Sequence, residues 1–168
     1  MQKTARNYTF IDGQNLHLGI QSLGWKLDYK KFRVYLKEKY AVEKAYVFIG
    51  YLSGNQPLYT FLQDAGYILV FKPVMYSKEG DIKGNVDADL VLYSMIEYEN
   101  YGQAIIVTSD GDFYSLVRHL YKNQKLKAVM SPYVKTCSTL LKDAAREKIV
   151  FMDNLQQKLA YLKRKSTA

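Results

Sequence analysis

The chain has 168 residues, 48% of them hydrophobic, and a formal net charge of +8. That length and composition fit one globular domain with its own core, and they exclude a disordered chain. No apolar run approaches the span of a bilayer, so no membrane partner is expected. The first residues, MQKTARNYTF, lack the apolar stretch of a signal peptide. Cys137 is the only cysteine, which rules out an intrachain disulfide and points to a reducing, cytoplasmic setting. One Cys and two His, His17 and His119, cannot build a zinc cluster without carboxylates. The basic balance favours an anionic partner and says nothing of fold.

Tyr8 to Ile11 is predicted as a short strand running into Asp12-Gly13-Gln14-Asn15. Helical spacing follows at Leu16, Ile20 and Leu23, with Gly24 as its stop. Asp12 is a turn former or a site carboxylate; Asn15 caps the helix or holds Asp12 by a hydrogen bond. Asp28 caps a second helix, Tyr29 to Tyr40, made basic by Lys30, Lys31, Arg33, Lys37 and Lys39. That face is either plainly solvated or turned toward phosphate. Ala45 to Leu52 is the second strand. Gln56 to Ala65 is a helix with Pro57 in its first turn and Gly66 at its end. Tyr67 to Val74 is the third strand, closing at Lys72-Pro73. Met75 to Asn85 is a polar loop carrying Lys78 and Lys83.

Asn85 is expected to cap a helix from Val86 to Tyr98, with Asp87 and Asp89 in its first turn. Residues two apart on a helix are rotated by about 200°, so at most one of them faces a shared site; Asp87, nearer the start, is chosen. The stretch Ala104 to Phe113, AIIVTSDGDF, carries the most information. Its β-branched run is a strand covered on both faces. Asp110 and Asp112 follow on a glycine turn, and Phe113, Leu116, Val117, Leu120 and Tyr121 then space like one face of a helix. Each Asp alone reads as turn or cap. Together they repeat the strand, Asp, Gly, helix layout seen at Asp12. Leu126 to Met130 is a fifth strand, Thr136 to Ala145 a helix, Lys148 to Met152 a last strand, and Asn154 to Leu162 a closing helix.

About six strands alternating with helices describe an α/β fold with a mainly parallel sheet of five to six strands, wrapped on both faces. If the first and fourth strands are neighbours, and the second and third lie beyond the first, a switch point brings Asp12, Asp110 and Asp112 together. Clustered carboxylates repel and raise one another's pKa. A hard divalent cation such as Mg²⁺ relieves that, and it serves phosphoryl chemistry. A basic surface around an acidic site favours a nucleic acid over a small acidic metabolite.

Three stretches, FIDGQN (Phe10 to Asn15), KGNVDADL (Lys83 to Leu90) and TSDGDF (Thr108 to Phe113), resemble the NYN domains, the LabA-like branch of the PIN-like nucleases. The resemblance implies a three-layer α/β/α Rossmannoid sandwich and metal-dependent hydrolysis of RNA phosphodiester bonds. It marks residues 1–162 as a single NYN/PIN-like domain and 163–168 as a basic tail. Carried over by motif, Asp12, Asp87 and Asp110 are the expected ligands of Mg²⁺ or Mn²⁺. Asp112 is a fourth catalytic carboxylate, orienting the attacking water, and the product keeps a 5′-phosphate. Asn15, Ser109 and Lys83 are expected at the substrate. RNA is the expected partner, and a homodimer is allowed for. The chain departs from the family pattern at Thr108-Ser109, where many relatives have Ser-Gly. It departs again near Tyr93, where many carry a further carboxylate.

Two rival readings stand beside this one. In the first, the chain is a non-catalytic RNA-binding module with a vestigial metal site, some of its 16 tyrosines stacking on bases. In the second, it is an aspartyl phosphatase, but Gln14 stands where enzymes of the haloacid dehalogenase type carry their second Asp.

Overall fold

A computed structural model describes residues 6–76, 78–80, 82–83 and 85–164. The elements run β1 (Asn7–Asp12), α1 (Gly13–Ser22), α2 (Tyr29–Tyr40), β2 (Val42–Tyr51), α3 (Gln56–Asp64) and β3 (Tyr67–Pro73). Then come β4 (Met75–Tyr76), β5 (Ile82–Lys83), α4 (Asp87–Ile96), β6 (Ala104–Val107) and α5 (Tyr114–Lys122). The chain closes with β7 (Leu126–Ser131), α6 (Thr139–Ala145), β8 (Ile149–Phe151) and α7 (Gln156–Leu159). Six strands form one sheet in the order β3-β2-β1-β6-β7-β8, every pair parallel.

The period-two geometry of a strand splits each buried run between two cores. Ala104 and Ile106 of β6 face one side, with Leu90, Leu116, Leu120 and Leu141. Ile105 and Val107 face the other, with Leu16, Ile20, Phe32 and Leu62. So α1, α2, α3 and α7 cover one face, and α4, α5 and α6 the other. This is the expected three-layer architecture. The connection from β3 returns past β1 to lay down β6. The helices leaving β1 and β6 therefore depart to opposite faces, and a crevice opens between the two strand ends.

The structure corrects several boundaries. The 75–85 segment holds a short antiparallel pair, Met75 with Lys83 and Tyr76 with Ile82, where a loop was expected. α4 starts at Asp87, because Asn85 Oδ1 accepts from the Asp87 N–H at 2.8 Å and holds Val86 out of the helix. The helix expected from Thr136 is a 3₁₀ turn, Val134–Thr136, followed by α6. The closing helix breaks up too: a 3₁₀ turn, Met152–Leu155, precedes α7, and Ala160 turns extended to bridge Leu27. There the Leu159 carbonyl accepts from Asp28 N and Tyr161 N donates to Lys26, so cross-chain pairing outcompetes further helix.

Candidate metal centre

β1 ends at Asp12, which is 6% exposed although it carries a carboxylate. Its side chain is the N-cap of α1: Oδ1 accepts from the Asn15 N–H at 3.3 Å. Gly13, next in the chain, admits no side chain. A Cβ there would stand 2.6 Å from Ile49 Cγ2 and 3.0 Å from the Phe48 carbonyl oxygen. The helix therefore leaves the sheet at close range, and Asp12 is fixed at the rim.

β6 delivers Thr108, Ser109 and Asp110 across the crevice. The buried Thr108 hydroxyl donates to Asp12 Oδ2 at 3.3 Å and accepts from the Asp110 N–H at 3.1 Å. Asp110 in turn accepts from the Asp112 N–H at 2.9 Å, capping the 3₁₀ turn Gly111–Phe113 that leads into α5. The third carboxylate, Asp87, enters from the first residue of α4. One carboxylate oxygen from each of Asp12, Asp87 and Asp110 lies within 4.8 Å of the others. Asp89, two residues on, is not in that group.

Of the two roles expected for Asn15, the bond to Asp12 is made by its backbone N–H, while its side chain neither caps the helix nor reaches Asp12. Asp12 is the cap, and Asn15 Oδ1 instead accepts from the Ser109 N–H at 2.8 Å, tying the β1 turn to the β6 turn. Ser109 is also spent internally. Its hydroxyl pairs with that of Ser131 at 2.9 Å, and its carbonyl accepts from Ser138 N at 3.0 Å. Asp112 is exposed at the rim, outside the three-carboxylate group. Lys83 sits in β5 opposite Met75, and its side chain lies outside the described residues. Tyr93 packs its ring against Phe48 and Tyr46 in the core. Thr108, Ser131 and Ser138 were missed. The only sequence signal was Thr108 itself, a hydroxyl at the end of an otherwise apolar strand.

Burial pushes the Asp12 carboxyl up to about 6, and the charges of Asp87 and Asp110 add to it; the Asn15 N–H and the Thr108 hydroxyl pull the other way. Asp87 is raised by burial and then by Asp110. Among the described residues no Lys or Arg forms an ion pair with any of the three; the ion pair found there is Arg6 with Glu43. Buried charges are normally paired or bound to metal. An all-oxygen donor set of three close carboxylates fits a hard divalent cation and offers nothing to a soft one.

The NYN domain family model matches residues 6–153. This chain belongs to the NYN domain family. The match spans every element that builds the acidic group, from β1 to the turn before α5. Among solved structures, a protein of unknown function from Vibrio parahaemolyticus is similar at a TM-score of 0.76 and 22% identity. That alignment covers 95% of this chain and 99% of the other, and it shows a shared fold. A PLP-bound putative aminotransferase from Clostridium difficile aligns with 71% of this chain and 35% of its own at 9% identity. The TM-score of that alignment is 0.29. A search of curated proteins found no match. No described helix is long and apolar enough to cross a membrane. The family and the carboxylate group are together consistent with a metal-dependent nuclease.

Proposed function

We propose that the protein is a metal-dependent ribonuclease of the LabA-like, PIN-like kind, hydrolysing RNA phosphodiester bonds at the carboxyl edge of the sheet. The observation that carries this is the gathering of Asp12, Asp87 and Asp110, far apart in sequence, within 4.8 Å and with no ion-pair partner among the described residues. Mg²⁺ or Mn²⁺ bound by these three would supply Lewis acidity toward a phosphate oxygen and a lowered pKa for a bound water. The remaining work falls to the chain. Thr108 fixes Asp12 relative to Asp110 through its two hydrogen bonds. Asn15 and Ser109 lock the two turns together, so we assign them to positioning the carboxylates rather than to touching substrate. Asp112, exposed beside the group, orients the attacking water and takes its proton. Lys83 and the basic surface hold the phosphate backbone. We take residues 1–162 as one NYN domain of a cytoplasmic protein and 163–168 as a basic tail.

The test is incubation of the purified protein with assorted RNAs, with Mn²⁺ or with chelator, beside Asp12→Asn. Cleavage that needs the cation and is lost in the variant is the expected outcome. RNA left intact under every condition would end the proposal. The departure from the family pattern near Tyr93, where many relatives carry a further carboxylate and this chain packs a tyrosine ring on Phe48, favours the rival, non-catalytic reading. That reading expects RNA affinity that survives chelator and no cleavage at all.

A further inference from the structure

α4, α5 and α6 stand on one face of the sheet, and α5 and α6 both start at the edge that holds the carboxylates. A Cβ on Gly111 would strike Ser138 and meet Leu140 Cβ at 3.8 Å, so the entry of α6 lies directly against the turn after Asp110. Between α5 and α6 runs a cleft of about 540 Å³. Its near end is formed by Tyr114 and Leu140, its far end by Tyr121, Lys122 and Arg146, with Arg118 and Asp143 on its sides. Tyr114 to Lys122 spans about 12 Å at the helical rise. Three cations and one acid line it.

The backbone at Arg146 supplies an independent observation. It adopts φ 51 and ψ −128, a conformation suited to glycine. An arginine held there is strained. What the conformation achieves is placement: the guanidinium lies 5.3 Å from the Tyr121 ring centroid, at the mouth of the cleft. Tyr121 is itself anchored, its hydroxyl donating to Glu147 at 3.0 Å. Arg118, on the next turn, donates to the Tyr114 hydroxyl at 3.4 Å. Strain of this kind persists where a side chain is needed in place for binding.

We infer that the α5–α6 cleft is the path of single-stranded RNA leading away from the carboxylates. Arg118, Lys122 and Arg146 receive its phosphates, and the apolar floor of Tyr114, Leu140 and Ala144 receives base faces. The inference rests on the ribonuclease reading for what lies at the head of the cleft. The combination of cations with an aromatic ring and apolar side chains in one cleft is how single strands are gripped. An acidic peptide would use the cations alone.

The experiment is fluorescence anisotropy with a short labelled single-stranded RNA, in chelator so that no cleavage runs, on wild type, Arg118→Ala, Arg146→Gly and the double variant. The double variant should bind roughly tenfold more weakly, with the slope of log affinity against log salt smaller by about 1.4 for two lost phosphate contacts. Arg146→Gly should melt at or above the wild-type temperature; a clear fall would make Arg146 a structural residue and overturn the inference. Unchanged affinity in the double variant overturns it as well, and so does an equal loss from Lys37→Ala on α2. A glutamate-rich peptide that competes as well as RNA would assign the cleft to protein instead. Cleavage with Mn²⁺ is read separately. Intact RNA there fails the ribonuclease reading while anisotropy still judges the cleft. Cleavage with unchanged anisotropy fails the cleft alone.

Discussion

The two edges of the sheet treat charge in opposite ways. At the amino edge, cations are consumed by backbone oxygens. Arg33 donates to the carbonyls of Gly66, Val42 and Glu43, and Lys148 donates to that of Leu126. At the carboxyl edge, three carboxylates crowd together, held by hydrogen bonds and without an ion pair among the described residues. The first arrangement is complete as it stands; the second is complete only with something positive added. The formal +8 of the chain distinguishes neither. What separates a structural charge from a functional one is whether the fold already supplies its partner.

The sharpest way to break this contrast is Asp110→Asn, which should lower RNA cleavage on the order of 10²–10³-fold, as loss of a preorganised charge-stabilising group does. Cleavage at the wild-type rate would show the acidic edge to be idle. Asp12→Asn should act on stability in the reverse direction. The folded carboxyl titrates at about 6 against an ordinary 3.8, so the native state holds its proton more tightly than the unfolded one. Stability conferred by that proton is full below about pH 4 and is lost as pH rises to about 6. The shift corresponds to about 3 kcal/mol, and asparagine can still cap α1. Metal-free Asp12→Asn should therefore melt roughly 5–10 °C above wild type at pH 7.5 and show little difference at pH 4. A melting temperature below wild type at pH 7.5 would mean the carboxylates are not straining the fold.

The same sign governs metal. Mn²⁺ at about a hundredfold over its dissociation constant should add about 2.7 kcal/mol at pH 7.5 by thermal melting, and clearly less at pH 5 where a proton competes. Equal gains at both pH values would place the ion elsewhere. Thr108→Val keeps shape but removes both bridging bonds. Manganese affinity by calorimetry should fall roughly ten- to a hundredfold, the usual cost of losing an outer-shell partner. The smallest effect is expected at the other edge. Arg33→Ala should cost about 1–2 kcal/mol by denaturant melting, with cleavage per folded molecule unchanged. A drop in cleavage would mean the basic helix does handle RNA.

Much of this contrast was readable before any coordinates. The alternation of strands and helices led to the parallel three-layer fold, and the supposed adjacency of the first and fourth strands, with its switch point, matches the observed order. The 200° argument allowed only one of Asp87 and Asp89, the position nearer the helix start chose Asp87, and the geometry has Asp87 in the acidic group. What escaped was long-range or competitive. Asn15 looked like a cap because capping is local, yet its side chain serves Ser109, 94 residues away. The Ser109–Ser131 pair leaves no periodic trace in the chain. The last helix seemed longer because nothing near Ala160 announces that Leu27 will claim it. The basic helix α2 read as a solvated face or a phosphate-facing one, and no local pattern revealed that Arg33 would be occupied by three carbonyls.

Gly13 carries a lesson of a different kind. Its missing side chain is demanded by Phe48 and Ile49, residues that take no part in chemistry. A descendant of this protein that abandoned catalysis would be free to let its aspartates drift, yet still bound to keep this glycine. In comparing such lineages, the glycine reports that the scaffold survives, and the acids beside it report whether the trade does.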